Sequence, residues 1–166
     1  MSNMTDVPAP LEGDLPYYDD PRQQDEIEQI LCQTPLADLA NHDFVSVAPH
    51  CTVRETLSRW RGAGDHCAVV VENEEIVGIF TERDVLCGVA DDFETHADMP
   101  VSRFMTKAPG TLEGHIPVVF GLNRMTVGGF RHIPITTDGK LSGLVSTRDL
   151  FAFVVQHLPN VSVGRH

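Results

Sequence analysis

Two segments of the chain place a hydroxyl side chain three residues before a carboxylate, at the end of an apolar run. They are Gly78–Asp84 (Gly-Ile-Phe-Thr-Glu-Arg-Asp) and Gly143–Asp149 (Gly-Leu-Val-Ser-Thr-Arg-Asp). If a strand ends and a helix begins there, the free N–H groups of the first helical turn can bind a phosphate. The hydroxyl can donate to a phosphate or ribose oxygen, and the carboxylate can accept from both ribose hydroxyls. This chemistry suits a nucleotide ligand.

The same spacing also has a purely structural explanation. Thr-x-x-Asp and Ser-x-x-Asp are helix N-cap patterns that stabilise a helix by about 1 kcal/mol. One segment alone favours the cap. The recurrence of the pattern, each time behind a pair of apolar strands that can hold a base, favours a binding site.

These segments belong to an internal repeat. Shifting the sequence by 65 residues aligns Leu36–Val89 with the following stretch without a gap. Identical pairs include His50/His115, Leu57/Leu122, Gly78/Gly143, Arg83/Arg148 and Asp84/Asp149. Repeats of this kind indicate stacked copies of one structural unit.

Each copy predicts the order strand, helix, strand, strand, helix. In the first copy, Phe44–Val47 alternates like a strand, and Thr52-Val53-Arg54-Glu55 is a capping box that starts a helix ended by Gly62–Gly64. Strands are predicted at 67–71 and 76–80, and a helix from Thr81 to about Val89.

The second copy follows the same order. A helix begins at Pro117 and ends at Gly128-Gly129, and strands at 132–136 and 141–145 flank a hairpin turn at Asp138-Gly139. A final helix runs from Ser146 to about Leu158. One copy of about 60 residues would have a thin core, so the two are expected to pack sheet against sheet.

With these features the chain resembles a tandem pair of cystathionine-β-synthase (CBS) domains, a Bateman module, over about Leu36 to Leu158. The residues that carry the resemblance are the two Thr/Ser-x-Arg-Asp corners, Gly129–Ile135 with Asp138–Gly143, and Val101–Thr106. The resemblance implies an α+β fold in which two β-α-β-β-α repeats pack with pseudo-twofold symmetry. It also implies two clefts for adenosine-type ligands such as AMP, ADP, ATP or S-adenosylmethionine.

The resemblance carries site residues over to both repeats. Asp84 and Asp149 match the ribose-binding acid, and Thr81 and Ser146 match the neighbouring hydroxyl. The remaining matches are the residues of the base-contacting strand, a basic pair that often meets phosphate, and the corner residue after Ser146: Val45, Ser46, Gly110, Thr111, Arg131, His132 and Thr147.

The two copies differ in charge at these positions. His66 and Cys67 stand where the second copy has Arg131 and His132, and Glu82 stands where it has Thr147. A carboxylate about 4 Å from a phosphate costs on the order of 4 kcal/mol. We therefore expect the second cleft, built on Ser146, Asp149 and Arg131, to take the phosphorylated ligand.

Composition narrows the classes of partner. The net charge of −12 argues against nucleic acid. No secretory signal and no apolar run of membrane-spanning length is present, so a cytoplasmic location is expected. The four cysteines and eight histidines lack metal-site spacing, so we expect no metal and reduced, mostly packed thiols. Trp60 is expected in the core.

The expected organisation has five parts. Residues 1–21 are a flexible acidic tail, 22–35 an N-terminal helix and linker, 36–100 and 101–158 the two repeats, and 159–166 a C-terminal tail. Net charges of −9 for 36–100 and +4 for 101–166 suggest a head-to-tail homodimer.

Three functions compete at this point. The first is a non-catalytic regulatory module that binds an adenosine-type ligand and signals to an effector protein. The second is an interaction module with vestigial clefts and no nucleotide. The third is an enzyme, which the absence of a paired nucleophile and base in any motif argues against.

Overall fold

The computed structural model describes residues 21–61 and 67–158. The predicted acidic tail up to residue 20, the helix stop at 62–64 and the predicted C-terminal tail lie outside the described residues. The described helices are α1 (Pro21–Gln33), α2 (Val53–Trp60), α3 (Glu82–Asp84), α4 (Phe93–His96), α5 (Val118–Gly128) and α6 (Thr147–His157). The strands are β1 (Val45–Val47), β2 (Cys67–Glu72), β3 (Glu75–Thr81), β4 (Thr106–Lys107), β5 (Leu112–Glu113), β6 (His132–Thr137) and β7 (Lys140–Ser146).

The strands form two sheets with matching topology. One sheet has the order β1-β2-β3-β4 and the other β5-β6-β7. In the first sheet, β1 pairs in parallel with β2, and β2 and β3 form an antiparallel hairpin. In the second sheet, β5 pairs in parallel with β6, and β6 and β7 form an antiparallel hairpin. The predicted α+β architecture of two similar repeats is confirmed.

Three clusters of buried residues hold the repeats together. Val53, Val70 and Phe80 belong to the core of the first repeat, where Trp60 stacks on Phe80 with ring centroids 5.4 Å apart. A corresponding core in the second repeat contains Val118, Ile133, Ile135, Val145 and Leu150. A third cluster joins the sheets to each other, with Val69 and Ile79 from the first sheet and Leu144 from the second. The sequence-based placement of Trp60 in the core agrees with its 6% exposure.

The segment that leads into each repeat packs on the other repeat. Leu36, in a 3₁₀ turn, is fully buried in the core of the second repeat, and its N–H donates to the Ile116 carbonyl. Its equivalent Val101 is fully buried in the core of the first repeat, and its N–H donates to the Cys51 carbonyl. The sequence repeat and the packing unit therefore do not share boundaries.

Local sequence signals account for most element ends. Thr52 and Glu55 form the predicted capping box of α2, and Gly129 ends α5 with φ of +66°. Asp138 and Gly139 both have positive φ in the β6–β7 hairpin, as the Asp-Gly signal predicts.

The segment after Thr81 differs from the regular helix that we predict. It begins as α3, widens into a π-helical turn over Val85–Val89, and continues through a 3₁₀ turn to α4. A π-turn adds one residue per turn, and such turns are frequent at functional sites. Here it lies beside the first Thr-x-x-Asp corner.

Candidate functional site

The first corner lies where β3 ends and α3 begins. Thr81 is the N-cap residue in extended conformation. Asp84 Oδ2 accepts from the Thr81 backbone N–H at 2.7 Å and from Thr81 Oγ1 at 2.7 Å. Its other oxygen, Oδ1, accepts from Thr106 Oγ1 at 3.2 Å. Three hydrogen bonds therefore hold the carboxylate at the end of the strand.

The second corner, where β7 meets α6, repeats this geometry. Asp149 Oδ2 accepts from Ser146 N–H at 2.7 Å and from Ser146 Oγ at 2.6 Å, while the Asp149 N–H donates back to Ser146 Oγ at 3.3 Å. Both carboxylates thus serve as helix caps, as the structural explanation of the spacing predicts. Each cap leaves lone pairs on the carboxylate for a further partner.

An open cleft of about 660 Å³ lies at the first corner. The corner residues Thr81–Asp84 form one side of it, and Leu86 and Cys87 of the π-turn extend this side. Gly128–His132 of the second repeat also line the cleft, as do Thr106, Ala108, Pro109 and Gly110 near the start of that repeat. Both repeats therefore contribute to one cleft.

The cleft carries balanced charge on chemically varied walls. Glu82 and Asp84 contribute carboxylates, Arg83 and Arg131 contribute guanidinium groups, and His132 contributes an imidazole. Ile79, Leu86, Pro109 and Phe130 add apolar surface. Apolar walls with a few convergent polar groups, in a volume of roughly 300–1,000 Å³, are typical of small-molecule sites.

His132 reaches this cleft because side chains alternate along β6. Ile133 and Ile135 face the helices of their own repeat. His132 and Pro134 face the opposite way, and Pro134 is the register partner of Leu144, which belongs to the cluster between the sheets. The side of β6 that carries His132 therefore points at the first repeat.

Carboxylates with shifted pKa values lie outside this cleft. Hydrogen bonds from the Thr52 backbone and hydroxyl lower the pKa of Glu55. A hydrogen bond from the Thr136 hydroxyl, at 2.8 Å, is the largest influence that lowers the pKa of Glu113. Asp98 has a lowered pKa because Arg54 Nε lies 2.9 Å from its Oδ1. These shifts mark caps and ion pairs that stabilise the fold.

A sequence model of the CBS domain matches residues 36–91 and again 101–156. The chain belongs to the CBS domain family. An uncharacterized 17.7 kDa protein of Acidianus ambivalens is 33% identical over 119 residues, which cover 70% of this chain and 71% of that protein.

Solved structures of CBS proteins share the fold. The CBS-domain containing protein ATU1752 from Agrobacterium tumefaciens is 29% identical, with a TM-score of 0.66 over 72% of this chain and 98% of that one. CBSX2, solved in complex with AMP, has a TM-score of 0.64 and 18% identity over 74% of this chain and 97% of that one. At 18% identity the likeness to CBSX2 concerns the fold alone.

Two residues that the resemblance carries over to the second CBS repeat line the first cleft. Sequence comparison grouped Arg131 with Ser146 and Asp149, but Arg131 and His132 line the cleft of Thr81 and Asp84. The 65-residue offset pairs residues along the chain, whereas the structure brings this part of the second repeat to the first repeat's corner. Glu82, expected to repel phosphate from the first cleft, shares that cleft with Arg131.

The other predicted site residues lie in different places. Gly110 lines the first cleft and the exposed Thr111 follows it. Val45 and Ser46 pair with β2 in the first CBS repeat, and the Ser46 carbonyl accepts from Arg59 at 3.3 Å.

Two pairs of residues link the second corner to the start of β6. Ser146 is 4% exposed and is the register partner of His132. Thr147 donates to the Arg131 carbonyl from both N–H and Oγ1. The position equivalent to Arg131 in the first CBS repeat is His66, which lies outside the described residues.

Sequence comparison missed Thr106, Ala108 and the π-turn as parts of the first cleft. Thr106 is the last residue of Val101–Thr106, a segment on which the family resemblance rests. The sequence therefore held an indication that Thr106 lies near the corner. Ala108 has a positive φ of 46°, which nothing in its residue type indicates. Strained backbone of this kind clusters at binding sites.

The described part of the chain lacks two kinds of feature. No group of three or more potential ligands from His, Cys, Asp and Glu is placed to hold a metal ion there. Among the same residues, no helix has both the length and the apolar character needed to span a bilayer.

Proposed function

We propose that this CBS pair is a regulatory module that binds an adenosine-type ligand in the first cleft and signals to a separate protein. The observation that carries the proposal is that one cleft combines Asp84 of one repeat with Arg131 and His132 of the other. The carboxylate suits a ribose, and the basic pair suits a phosphate or another anion. No catalytic step is part of this function.

The charges in the cleft favour a ligand of low charge. Arg131 attracts a phosphate, but Glu82 shares the cleft and opposes a large concentration of negative charge. Among the candidates AMP, ADP, ATP and S-adenosylmethionine, this balance favours AMP or S-adenosylmethionine over ATP. CBSX2, which shares this fold, was solved in complex with AMP, so the fold is able to hold a ligand of this class.

Ligand binding would couple the two repeats. A molecule that contacts Asp84 at one end and Arg131 at the other stabilises the relative orientation in which both contacts form. Such a ligand shifts the population of orientations by its differential affinity for them. A partner protein that recognises one orientation then responds to the ligand.

We propose that the chain also pairs with a second copy. Phe120 and Val127 are 56% and 81% exposed on α5, and Phe151 and Val155 are 63% and 37% exposed on α6. Their i, i+7 and i, i+4 spacings put each pair on one helix face. A homodimer would remove this apolar surface from water.

The second candidate is an interaction module that binds no nucleotide. The use of both the Asp84 and the Asp149 carboxylates as helix caps favours it. Mass spectrometry of small molecules released from the purified native protein separates the two. Recovery of an adenosine-type compound in near-stoichiometric amount supports the ligand-binding proposal.

The cysteines allow a test specific to the first cleft. Cys87 is exposed and lines this cleft, Cys32 is exposed on α1, and Cys51 and Cys67 are buried. We expect AMP to slow alkylation of Cys87 by iodoacetamide and to leave that of Cys32 unchanged. Peptide mass spectrometry follows both thiols in one sample.

Two variants control for the loss of a helix cap. Asp84→Ala and Asp149→Ala each remove a carboxylate that caps a helix, so each should lower stability by a similar amount, about 1 kcal/mol. We expect Asp84→Ala alone to abolish protection of Cys87 by AMP. Protection that survives Asp84→Ala and disappears in Asp149→Ala would instead assign the ligand to the second corner.

A further inference from the structure

Hydrogen bonds within the protein occupy most of the acceptor positions of the Asp84 carboxylate. A carboxylate offers about four lone-pair positions, two on each oxygen. Oδ2 accepts from Thr81 N–H and Thr81 Oγ1, both at 2.7 Å, which occupies two of them. Oδ1 accepts from Thr106 Oγ1 at 3.2 Å, which occupies a third. One position remains for a ligand, whereas the two hydroxyls of a ribose need two.

The second corner differs at this point. Asp149 Oδ2 carries the equivalent pair of bonds from Ser146. The residue equivalent to Thr106 is Asn41, whose Oδ1 accepts from the Asp43 N–H at 2.9 Å and whose Nδ2 donates to the Asp43 carbonyl at 3.3 Å. The side chain of Asn41 is thus engaged in its own turn, and the competing hydroxyl is a feature of the first cleft.

We propose that Thr106 is a specificity-determining residue of the first cleft, because its hydroxyl competes with one ribose hydroxyl for Asp84 Oδ1. The inference rests on the proposed function, since it requires that a ribose binds at Asp84. It makes the first cleft less selective for an intact ribose diol than its aspartate alone would be.

The surroundings of Thr106 allow its hydroxyl to rotate away from Asp84 without movement of the backbone. The backbone is fixed, because Thr106 is the register partner of Ile79 in the β3–β4 pair and the Ala108 N–H donates to the Val77 carbonyl at 3.1 Å. Thr106 is exposed, so a rotated hydroxyl can bond to water. Its 3.2 Å bond to Asp84 is longer than the roughly 2.7–2.8 Å usual for hydroxyl donors, which indicates a weak bond.

The expected effect of removing this competitor is modest. A single net hydrogen bond changes an equilibrium by about 2- to 10-fold. Thr106→Val keeps the shape of the side chain, removes the hydroxyl and suits a β-strand. We expect it to tighten AMP binding by about 2- to 10-fold and to tighten 2′-deoxy-AMP binding less, since the deoxynucleotide needs one acceptor fewer. Discrimination between the two nucleotides therefore rises in the variant.

Protection of Cys87 from iodoacetamide measures both affinities at the first cleft in the full-length chain. Thr106→Ser keeps the hydroxyl and should restore the wild-type ratio of AMP to 2′-deoxy-AMP affinity. Thr106→Ala is a second variant without the hydroxyl, and it should act in the same direction as Thr106→Val if the valine disturbs folding. Thermal unfolding without nucleotide checks that each variant is folded.

The possible results separate this inference from the function beneath it. If AMP protects Cys87 in the wild type and not in Asp84→Ala, while Thr106→Val leaves AMP affinity unchanged or weakened, Thr106 is not a competitor and the inference is wrong. A weakened affinity would mean that the hydroxyl bridges to the ligand. If AMP fails to protect Cys87 even in the wild type, the proposed function itself fails for this nucleotide.

Discussion

The carbonyl oxygen of Arg131 accepts two hydrogen bonds from Thr147, one from N–H at 2.8 Å and one from Oγ1 at 3.3 Å. These bonds tie the backbone of Arg131 to the start of α6, and Arg131 also lines the first cleft. The second corner thereby positions a cation for the first cleft.

Replacing Arg131 should weaken the recognition of phosphate and leave the recognition of the nucleoside unchanged. A hydrogen bond to a charged group contributes about 1.5–3 kcal/mol, so Arg131→Ala should weaken AMP binding by about 10- to 150-fold. Adenosine, which lacks the phosphate, should bind the variant and the wild type alike. Isothermal titration calorimetry measures both, and equal losses for AMP and adenosine would contradict a phosphate-binding role.

Leu36→Ala should destabilise the whole chain. Leu36 is fully buried against α5, where a Cβ on Gly121 would lie only 2.7 Å from its Cδ2. A buried Leu→Ala change costs about 2–5 kcal/mol. Urea unfolding should show this loss, whereas Leu86→Ala, at a position 71% exposed, should change the free energy of unfolding far less.

Gly129→Ala tests backbone conformation without a steric clash. Gly129 has φ of +66°, and a Cβ at this position would have no neighbour within 4 Å. The expected loss of about 1 kcal/mol arises from the left-handed conformation alone. An unchanged melting temperature would show that the end of α5 can rearrange.

Glu113 should contribute to acid sensitivity. The hydrogen bond from Thr136 lowers its pKa in the folded state, with a further contribution from the Gly139 N–H at 3.1 Å. The stability it contributes is present above the unfolded-state pKa of about 4.3 and is lost as the pH falls through the lower folded-state pKa.

Glu113→Gln should therefore flatten the dependence of unfolding free energy on pH below about pH 4.3. Urea unfolding at several pH values measures this dependence. Glu72→Gln, an exposed position on β2, serves as the control. Parallel curves for the wild type and Glu113→Gln would contradict the prediction.

Phe151→Asp should dissociate the proposed homodimer. Phe151 is 63% exposed, so an aspartate there leaves the folded monomer nearly unaffected but puts a charge into an apolar contact. Light scattering after size exclusion should give a dimer for the wild type and a monomer for the variant. Gln156→Asp adds the same charge elsewhere on α6, and a monomeric wild type would rule the dimer out.

Local sequence signals predicted the elements well because each one acts within a few residues. The Thr52 capping box, the Asp138-Gly139 turn and the helix end at Gly129 all formed as expected. The repeat itself predicted two similar sheets. Both corners were located correctly, since a strand end and an N-cap are visible in sequence.

Relations between the repeats could not be predicted in the same way. The placement of Arg131 in the same cleft as Asp84 depends on how the two sheets meet, and the offset of 65 residues compares copies without showing which surfaces touch. The π-turn at Val85–Val89 and the positive φ of Ala108 also depend on tertiary packing rather than on residue type. The cleft depends mainly on such contacts between the repeats and on tertiary packing.

The exchange of leading turns between Leu36 and Val101 bears on how such a chain can arise. A polypeptide with a single copy would lack the turn that closes its own core, because each copy lends that turn to the other. Two identical polypeptides could complete each other's cores by exchanging these turns. Joining the two end to end keeps the exchange within one molecule. The internal repeat therefore lets one molecule make an exchange that separate copies could make only by pairing.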